Sequence, residues 1–249
     1  MAGWTTIDTP SGHRGLVCPA LAGEGLVHLF TLRSAADGAA GAIPRELLAR
    51  LGLDGIPIAR PKQVHGALVA IPAGPPGATA PGEADAVAVT KPGEAAAIAT
   101  ADCVGAILFD PGPGCFAVVH AGWRGTIAGV VPAAVEALAL RGGARPRRMM
   151  MAMGPSIRGC CYEVGEEVLA PFRRAFPRAE GLGIFGARGG RETLDLVAAN
   201  RALGESCGLD PARIHASDLC TSCRTDLCWS YRKAGPGAGR MWTLAGRPG

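Results

Sequence analysis

Residues 84–120 read ADAVAVTKPGEAAAIATADCVGAILFDPGPGCFAVVH. Four short apolar runs stand here, Ala84–Thr90, Ala95–Thr100, Gly105–Phe109 and Cys115–His120, separated by Gly, Pro and acidic residues. That is the pattern of consecutive strands, and Val64–Ile71 upstream reads the same way. Working outward, the period changes. Arg124–Leu140 has helical spacing, Arg148–Met153 reads as a buried strand, and Val164–Phe176 and Leu194–Cys207 read as amphipathic helices, the second stopped by Gly208. Arg240–Leu244 is the expected last strand, and Ile43–Arg50 a short helix with Pro44 in its first turn and Leu47 and Leu48 turned inward. Gly181–Gly190 and Ala234–Gly239 read as Gly-rich loops, too short to link domains. Strands grouped apart from helices predict an α+β fold of mixed sheets layered with helices, rather than an alternating βαβ array.

Composition narrows the function classes. With 48% hydrophobic and 18% charged residues, burial can offset chain entropy, so a disordered chain is excluded. Net charge is only +4 and the 25 basic residues form no dense stripe, which argues against nucleic acid as a partner. No apolar run is long enough to span a membrane, and the start lacks a basic head followed by an apolar stretch, so a cytoplasmic protein is expected. In a reducing compartment its nine Cys are expected to stay free, bind metal or attack substrate.

Three of these positions draw chemistry together. His65 follows Lys62-Gln63-Val64 and precedes Gly66, Cys103 lies where one apolar run ends and the next begins, and His120 ends a strand ahead of a tight turn. Meeting at one sheet edge, two imidazoles and a thiolate would leave tetrahedral zinc one open position, the arrangement of a catalytic site. Each has an ordinary alternative, since Cys is often a small core residue and a strand-end His is often only hydrogen-bonded. His215, Cys220, Cys223 and Cys228 form a rival cluster whose CxxC spacing suits structural zinc. The turn Gly122–Thr126 feeds a helix and carries Arg124, which suits a phosphate; alternatively Trp123 packs and Arg124 faces solvent.

Taken together the motifs resemble a known family. Lys62-Gln63-Val64-His65-Gly66, Ala84-Asp85-Ala86, Thr100-Ala101-Asp102-Cys103, His120-Ala121-Gly122-Trp123-Arg124-Gly125, Gly154-Pro155-Ser156-Ile157 with Cys161-Tyr162-Glu163-Val164-Gly165, Cys220-Thr221, and Ser230-Tyr231-Arg232 with Gly239-Arg240-Met241 stand in the order of the YfiH-like family, once labelled multicopper polyphenol oxidases. These blocks run from about Arg60 to Arg240. The whole chain, 1–249, is taken as a single domain, matching weakly over 1–59 and strongly over 60–247. The resemblance implies a Zn2+ site at His65, Cys103 and His120, and purine nucleoside phosphorylase activity, with adenosine deaminase and methylthioadenosine phosphorylase activities among relatives. Other members are described as peptidoglycan editing factors or classed with cysteine hydrolases.

On this basis His65, Cys103, His120 and Asp102 are the expected catalytic residues. Arg33, Gln63 and Arg124 are the expected substrate contacts, for a purine nucleoside and phosphate, in a protein expected to be a monomer. The chain departs from the family at Val104-Gly105, where an apolar residue and Pro are usual, so a looser backbone is expected there. After Phe30-Thr31-Leu32-Arg33 it lacks the Gly-Gly and Asn-rich stretch. Cys223 and Cys228 fall outside the family pattern and are expected to be passengers. Five His cannot furnish a multicopper centre, which excludes a laccase. The absence of His-x-Glu with Pro-Cys-x-x-Cys excludes the cytidine-deaminase scaffold, leaving Asp102 or Glu83 as proton carriers for any deamination. The alternatives kept open are a hydrolase using Cys103 and a His, and a zinc-stabilised binding module.

Overall fold

Alternate residues of the central strands face two different cores. In the computed structural model, which describes residues 3–34, 42–72 and 82–248, the chain opens with β1 (Thr5–Asp8), β2 (Arg14–Val17), α1 (Pro19–Gly23) and β3 (Val27–Thr31). There follow α2 (Arg45–Arg50), β4 (Ile58–Ala59), β5 (Val69–Ala70), β6 (Ala86–Val89), β7 (Glu94–Thr100), β8 (Val104–Asp110) and β9 (Cys115–Ala121). The rest holds α3 (Trp123–Ile127), α4 (Val130–Gly142), β10 (Met150–Met153), α5 (Glu166–Ala175), β11 (Phe185–Arg188) and β12 (Arg191–Leu194). It ends with α6 (Leu196–Ser206), β13 (Ile214–Ala216), α7 (Tyr231–Ala234) and β14 (Met241–Arg247). Among the described residues no helix is long and apolar enough to cross a membrane.

Two six-stranded mixed sheets carry the fold, in the orders β1-β2-β3-β14-β7-β4 and β13-β10-β8-β9-β6-β5. Phe30 and Ile98 from the first meet Ile107, Phe109, Phe116 and Val118 from the second in the core between the sheets. The other face of the second sheet, with Ala106, Leu108, Ala117 and Val119, packs on Val131, Val135 and Leu138 of α4 and on residues of α5 and α6. Burial on both faces is why these strands read as unbroken apolar runs rather than alternating ones. Each large side chain so enclosed contributes about 1.5–3 kcal/mol. This is the α+β class that the strand and helix grouping predicts.

Four local expectations are corrected. Val64–Ile71 is not one strand: only Val69–Ala70 joins a ladder, because the Asp85 carboxylate draws the backbone N–H groups of Val64, His65 and Gly66 into a turn. Arg124–Leu140 is two helices, since Gly129 takes a left-handed conformation (φ 82°) between α3 and α4. Gly181–Gly190 is not all loop. Gly189 and Gly190, both at positive φ, close a two-residue hairpin between β11 and β12. Gly105 is not loose: it pairs with His120 in the ladder, and a Cβ there would come 2.1 Å from Thr243 Oγ1 of the facing sheet. The stretch after Arg33 that departs from the family includes residues 35–41, which lie outside the described residues.

Candidate active site

The site forms where the chain leaves one sheet for the other. β7 belongs to the first sheet and β8 to the second, so Ala101-Asp102-Cys103 crosses between them at the open end of the sandwich. Asp102 makes the crossing at φ 90°, a conformation rare for a residue with a Cβ. Its carboxylate is held from two sides, accepting from the Thr221 hydroxyl at 2.5 Å and the Arg232 backbone N–H at 2.7 Å. Its carbonyl takes the Ile157 N–H at 2.9 Å.

His120 reaches the same end from β9, on the face that points Phe116 and Val118 into the inter-sheet core. His65 is supplied by the Asp85-bound turn, itself in the left-handed region at φ 61°. One ligand atom from each of His65, Cys103 and His120 lies within 4.8 Å of the others, and the two imidazoles meet edge to face with centroids 4.8 Å apart. Gly122 makes room, since a Cβ there would stand 3.0 Å from Cys103 Sγ and 3.3 Å from His65 Cδ2. Gly125 lets α3 approach the turn, where a Cβ would come 2.9 Å from the Gly66 carbonyl oxygen.

Electrostatics couple the trio. Burial pushes the Cys103 thiol up, but hydrogen bonds with His120 and His65 and their charge outweigh it and bring it to about 7. For His120, burial works against the charged ring, yet the Asp85 carboxylate and Cys103 raise it to about 9. Asp85, wholly buried, accepts from His120 Nδ1 at 2.7 Å, which aims Nε2 away from the carboxylate. A carboxylate behind a histidine in this manner orients the ring as a metal ligand.

These residues open on a cavity of about 700 Å³ that is also lined by Gln63, Tyr162, Tyr231, Arg232 and Arg240. A second cleft of about 730 Å³, with Trp123 and Arg191 in its wall, shares Tyr162 and Arg232 with it. Of the expected substrate contacts, only Gln63 lines the first cavity. Its amide is engaged with β7, donating to the Ala99 carbonyl and accepting the Ala99 N–H, both at 2.8 Å. Arg33 is turned away, stacked over Trp229 at 4.1 Å and donating to the Thr225 carbonyl. Arg124 is exposed and lies over its neighbour Trp123 at 4.2 Å. Glu83 is exposed and paired with Lys62. Asp85, Tyr162, Tyr231, Arg232 and Arg240 were not singled out as site residues from the sequence, though all stand within the quoted motifs.

The cysteine expectations divide. Cys228 is buried in the inter-sheet core and His215 lies in β13, and neither joins a ligand cluster among the described residues. Cys223 does: its Sγ stands with those of Cys160, Cys161 and Cys220, all within 4.8 Å of one another. Cys223, expected to be a passenger, therefore stands in a group of four thiols able to hold a metal.

Residues 39–247 match the family model described as multi-copper polyphenol oxidoreductase laccase. The chain belongs to this YfiH-like, laccase-domain family. A protein of Deinococcus radiodurans named purine nucleoside phosphorylase is 42% identical over 208 residues, covering 81% of this chain and 75% of that one. Adenosine deaminase RL5, from an unknown prokaryotic organism, is 40% identical over 144 residues, 58% of this chain and 55% of the relative. The crystal structure of YlmD from Geobacillus stearothermophilus superposes with a TM-score of 0.83 at 27% identity, covering 94% of this chain and 96% of that one. The copper chemistry in the family's description does not fit the donors here. Multicopper centres draw on many imidazoles, whereas among the described residues only His65 and His120 of the five His enter a ligand cluster.

Proposed function

We propose that the protein is a zinc-dependent purine nucleoside phosphorylase acting on adenosine, inosine, guanosine or methylthioadenosine. The observation that carries this reading is the convergence of His65, Cys103 and His120 on a cavity whose wall also holds Arg232, Arg240, Tyr162 and Tyr231. Two nitrogens and one sulfur suit zinc, and the side facing the cavity offers the open position of a catalytic site. When bound, zinc supplies Lewis-acid polarisation.

In phosphorolysis a phosphate oxygen bonds to the anomeric carbon of the ribose as the glycosidic C–N bond breaks. The bonding pair leaves with the purine, which takes up a proton, and ribose 1-phosphate remains. Arg232 and Arg240 hold the phosphate, since Arg33 and Arg124 lie outside the cavity wall. Tyr231, half exposed at the rim, offers a flat face to the purine. Asp102, gripped by Thr221 and by the Arg232 backbone, positions the Arg232 segment against the thiol.

The test is incubation of purified protein with each of the four nucleosides, with and without phosphate, and separation of the products. Phosphate-dependent release of base with ribose 1-phosphate, or with 5-methylthioribose 1-phosphate from methylthioadenosine, is the expected result. Base released equally without phosphate, or none from any nucleoside, overturns it. Two other readings have observations of their own. Deamination of adenosine needs no phosphate and fits the same open metal position, so inosine and ammonia formed without phosphate would favour it. The alignment Asp85, His120, Cys103, with the thiol held near 7, also suits a Cys/His hydrolase, including one acting on peptidoglycan. Iodoacetamide that reacts with Cys103 in metal-loaded protein would favour that reading, because a coordinated thiolate is protected.

A further inference from the structure

We propose that Cys160, Cys161, Cys220 and Cys223 hold a second zinc ion, a structural one, that fastens together two turns, one next to Tyr162 of the cavity wall and the other bearing Thr221, which holds Asp102. The four thiols come from two sequence-distant turns. Cys160 and Cys161 lie in a turn where the N–H groups of Cys161 and Tyr162 bond to the Arg158 carbonyl at 2.8 and 3.0 Å. Cys220 and Cys223 stand at CxxC spacing, in a turn where the N–H groups of Cys223 and Arg224 bond to the Cys220 carbonyl at 3.2 and 3.0 Å. The turns are docked by backbone bonds from Ser156 N–H to the Leu219 carbonyl and from Thr221 N–H to the Ser156 carbonyl.

The spacing of the sulfurs suits metal binding. All four Sγ atoms lie within 4.8 Å of one another, with Cys161 and Cys160 at 3.3 and 3.7 Å from Cys223. With Zn–S bonds near 2.3 Å, the edges of a tetrahedron of sulfurs are about 3.8 Å. A disulfide needs about 2.05 Å, and all four cysteines are free. Four thiolates close the coordination sphere, leaving no position for water, so the site is structural rather than catalytic. Such a centre carries a net charge of about −2, and a cation is at hand. The Arg188 guanidinium donates to the Cys160 carbonyl and lies 3.7 Å from Cys161 Sγ.

The consequence reaches the active-site cavity. Tyr162, next to Cys161, lines it, and Thr221, next to Cys220, holds Asp102 beside Cys103. An ion joining the two turns fixes Tyr162 and the Thr221–Asp102 contact relative to each other.

The experiment measures zinc per chain in purified protein and its variants. Cys103→Ala removes a ligand of the first site only, so that protein should retain about one zinc. Adding Cys223→Ser, at an exposed position, should remove it. Cobalt bound to Cys103→Ala protein should show sulfur-to-metal charge-transfer absorption and the intense visible bands of a tetrahedral site. Should the double variant fail to fold, Cys103→Ala protein can be alkylated with iodoacetamide instead: Cys160, Cys161 and Cys223 should be protected until a chelator is added. Cys103→Ala protein that binds no zinc, alkylates at all three positions without chelator, shows a disulfide among these cysteines, or carries iron as isolated overturns the proposal. Because the first site is disabled in every arm, the result does not depend on the phosphorylase reading.

Discussion

Asp85 Oδ1 accepts both the His120 Nδ1 proton, at 2.7 Å, and the backbone N–H of His65, at 2.9 Å. One buried oxygen thus sets the orientation of two of the three proposed metal ligands, and Oδ2 completes the turn by accepting from Gly66 at 2.6 Å. Asp85→Asn keeps the shape but replaces one acceptor oxygen with an NH2 group, so either His120 or the turn loses its partner. Under the proposed zinc site, zinc affinity should fall about 10–100-fold, the usual loss when the carboxylate behind a metal-binding histidine is changed. Competition with a chromophoric chelator measures it. Unchanged affinity would show that His120 is oriented by something else.

Gly122 tests how tightly the thiol is seated. Its backbone, at φ −74° and ψ 174°, is open to any residue, so alanine introduces no conformational strain. What it introduces is a methyl group 3.0 Å from Cys103 Sγ and 3.3 Å from His65 Cδ2. Gly122→Ala should weaken zinc binding while costing about 1–3 kcal/mol of stability through overpacking. Metal content and thermal unfolding are read together, and a folded variant with full metal retention counts against the close fit.

The same residues show what the sequence discloses and what it hides. The strands β6 to β9 were legible because burial on both faces writes an unbroken apolar run. Cys103 and His120 were legible because each sits where such a run begins or ends, whereas His65, read as the start of a strand, stands in a turn held by Asp85. Asp85 was hidden. An acidic residue between two alanines looks like a strand-edge charge, and of its four hydrogen bonds three go to the turn Val64–Gly66 and the fourth to His120, 35 positions on. Arg232 and Arg240 were hidden likewise, because the C-terminal loop is brought to the cavity by β14 pairing with β7, a contact between residues more than a hundred positions apart. Arg124 stands in a turn before a helix, locally right for phosphate, and in the structure its guanidinium lies over Trp123, outside the wall of the first cavity.

That difference gives the third prediction. Under the proposed phosphorolysis, Arg232→Ala and Arg240→Ala should each raise KM for phosphate by roughly tenfold or more, because a charge-assisted hydrogen bond is worth about 1.5–3 kcal/mol. KM for the nucleoside should move less, and zinc content should not change. Arg124→Ala should have the smaller effect on phosphate. A larger effect from Arg124 than from either cavity arginine would shift the anion site to the second cleft, where Trp123 stands.

The last prediction concerns stability and uses a histidine far from the metal ligands. His28 is 1% exposed in β3; its Nε2 accepts the Cys18 backbone N–H at 2.9 Å, so the ring proton is on Nδ1 and is donated to the Leu26 carbonyl at 2.9 Å. Burial holds its pKa below the ordinary value, with the Leu26 carbonyl opposing only in part. A second proton would have to enter at Nε2 and would break the bond from Cys18. The unfolded chain, titrating near 6.5, therefore takes up a proton that the folded chain refuses. The stabilisation from a neutral His28 is complete above that value and is lost as pH falls below it, with a slope of at most about 1.4 kcal/mol per pH unit. His28→Gln removes the titration while keeping a group that can accept from Cys18. Unfolding by urea between pH 7.5 and 5 should show the wild type losing stability more steeply than the variant below pH 6.5 and in parallel with it above. Parallel curves throughout would mean that His28 takes up its proton equally well in the folded protein.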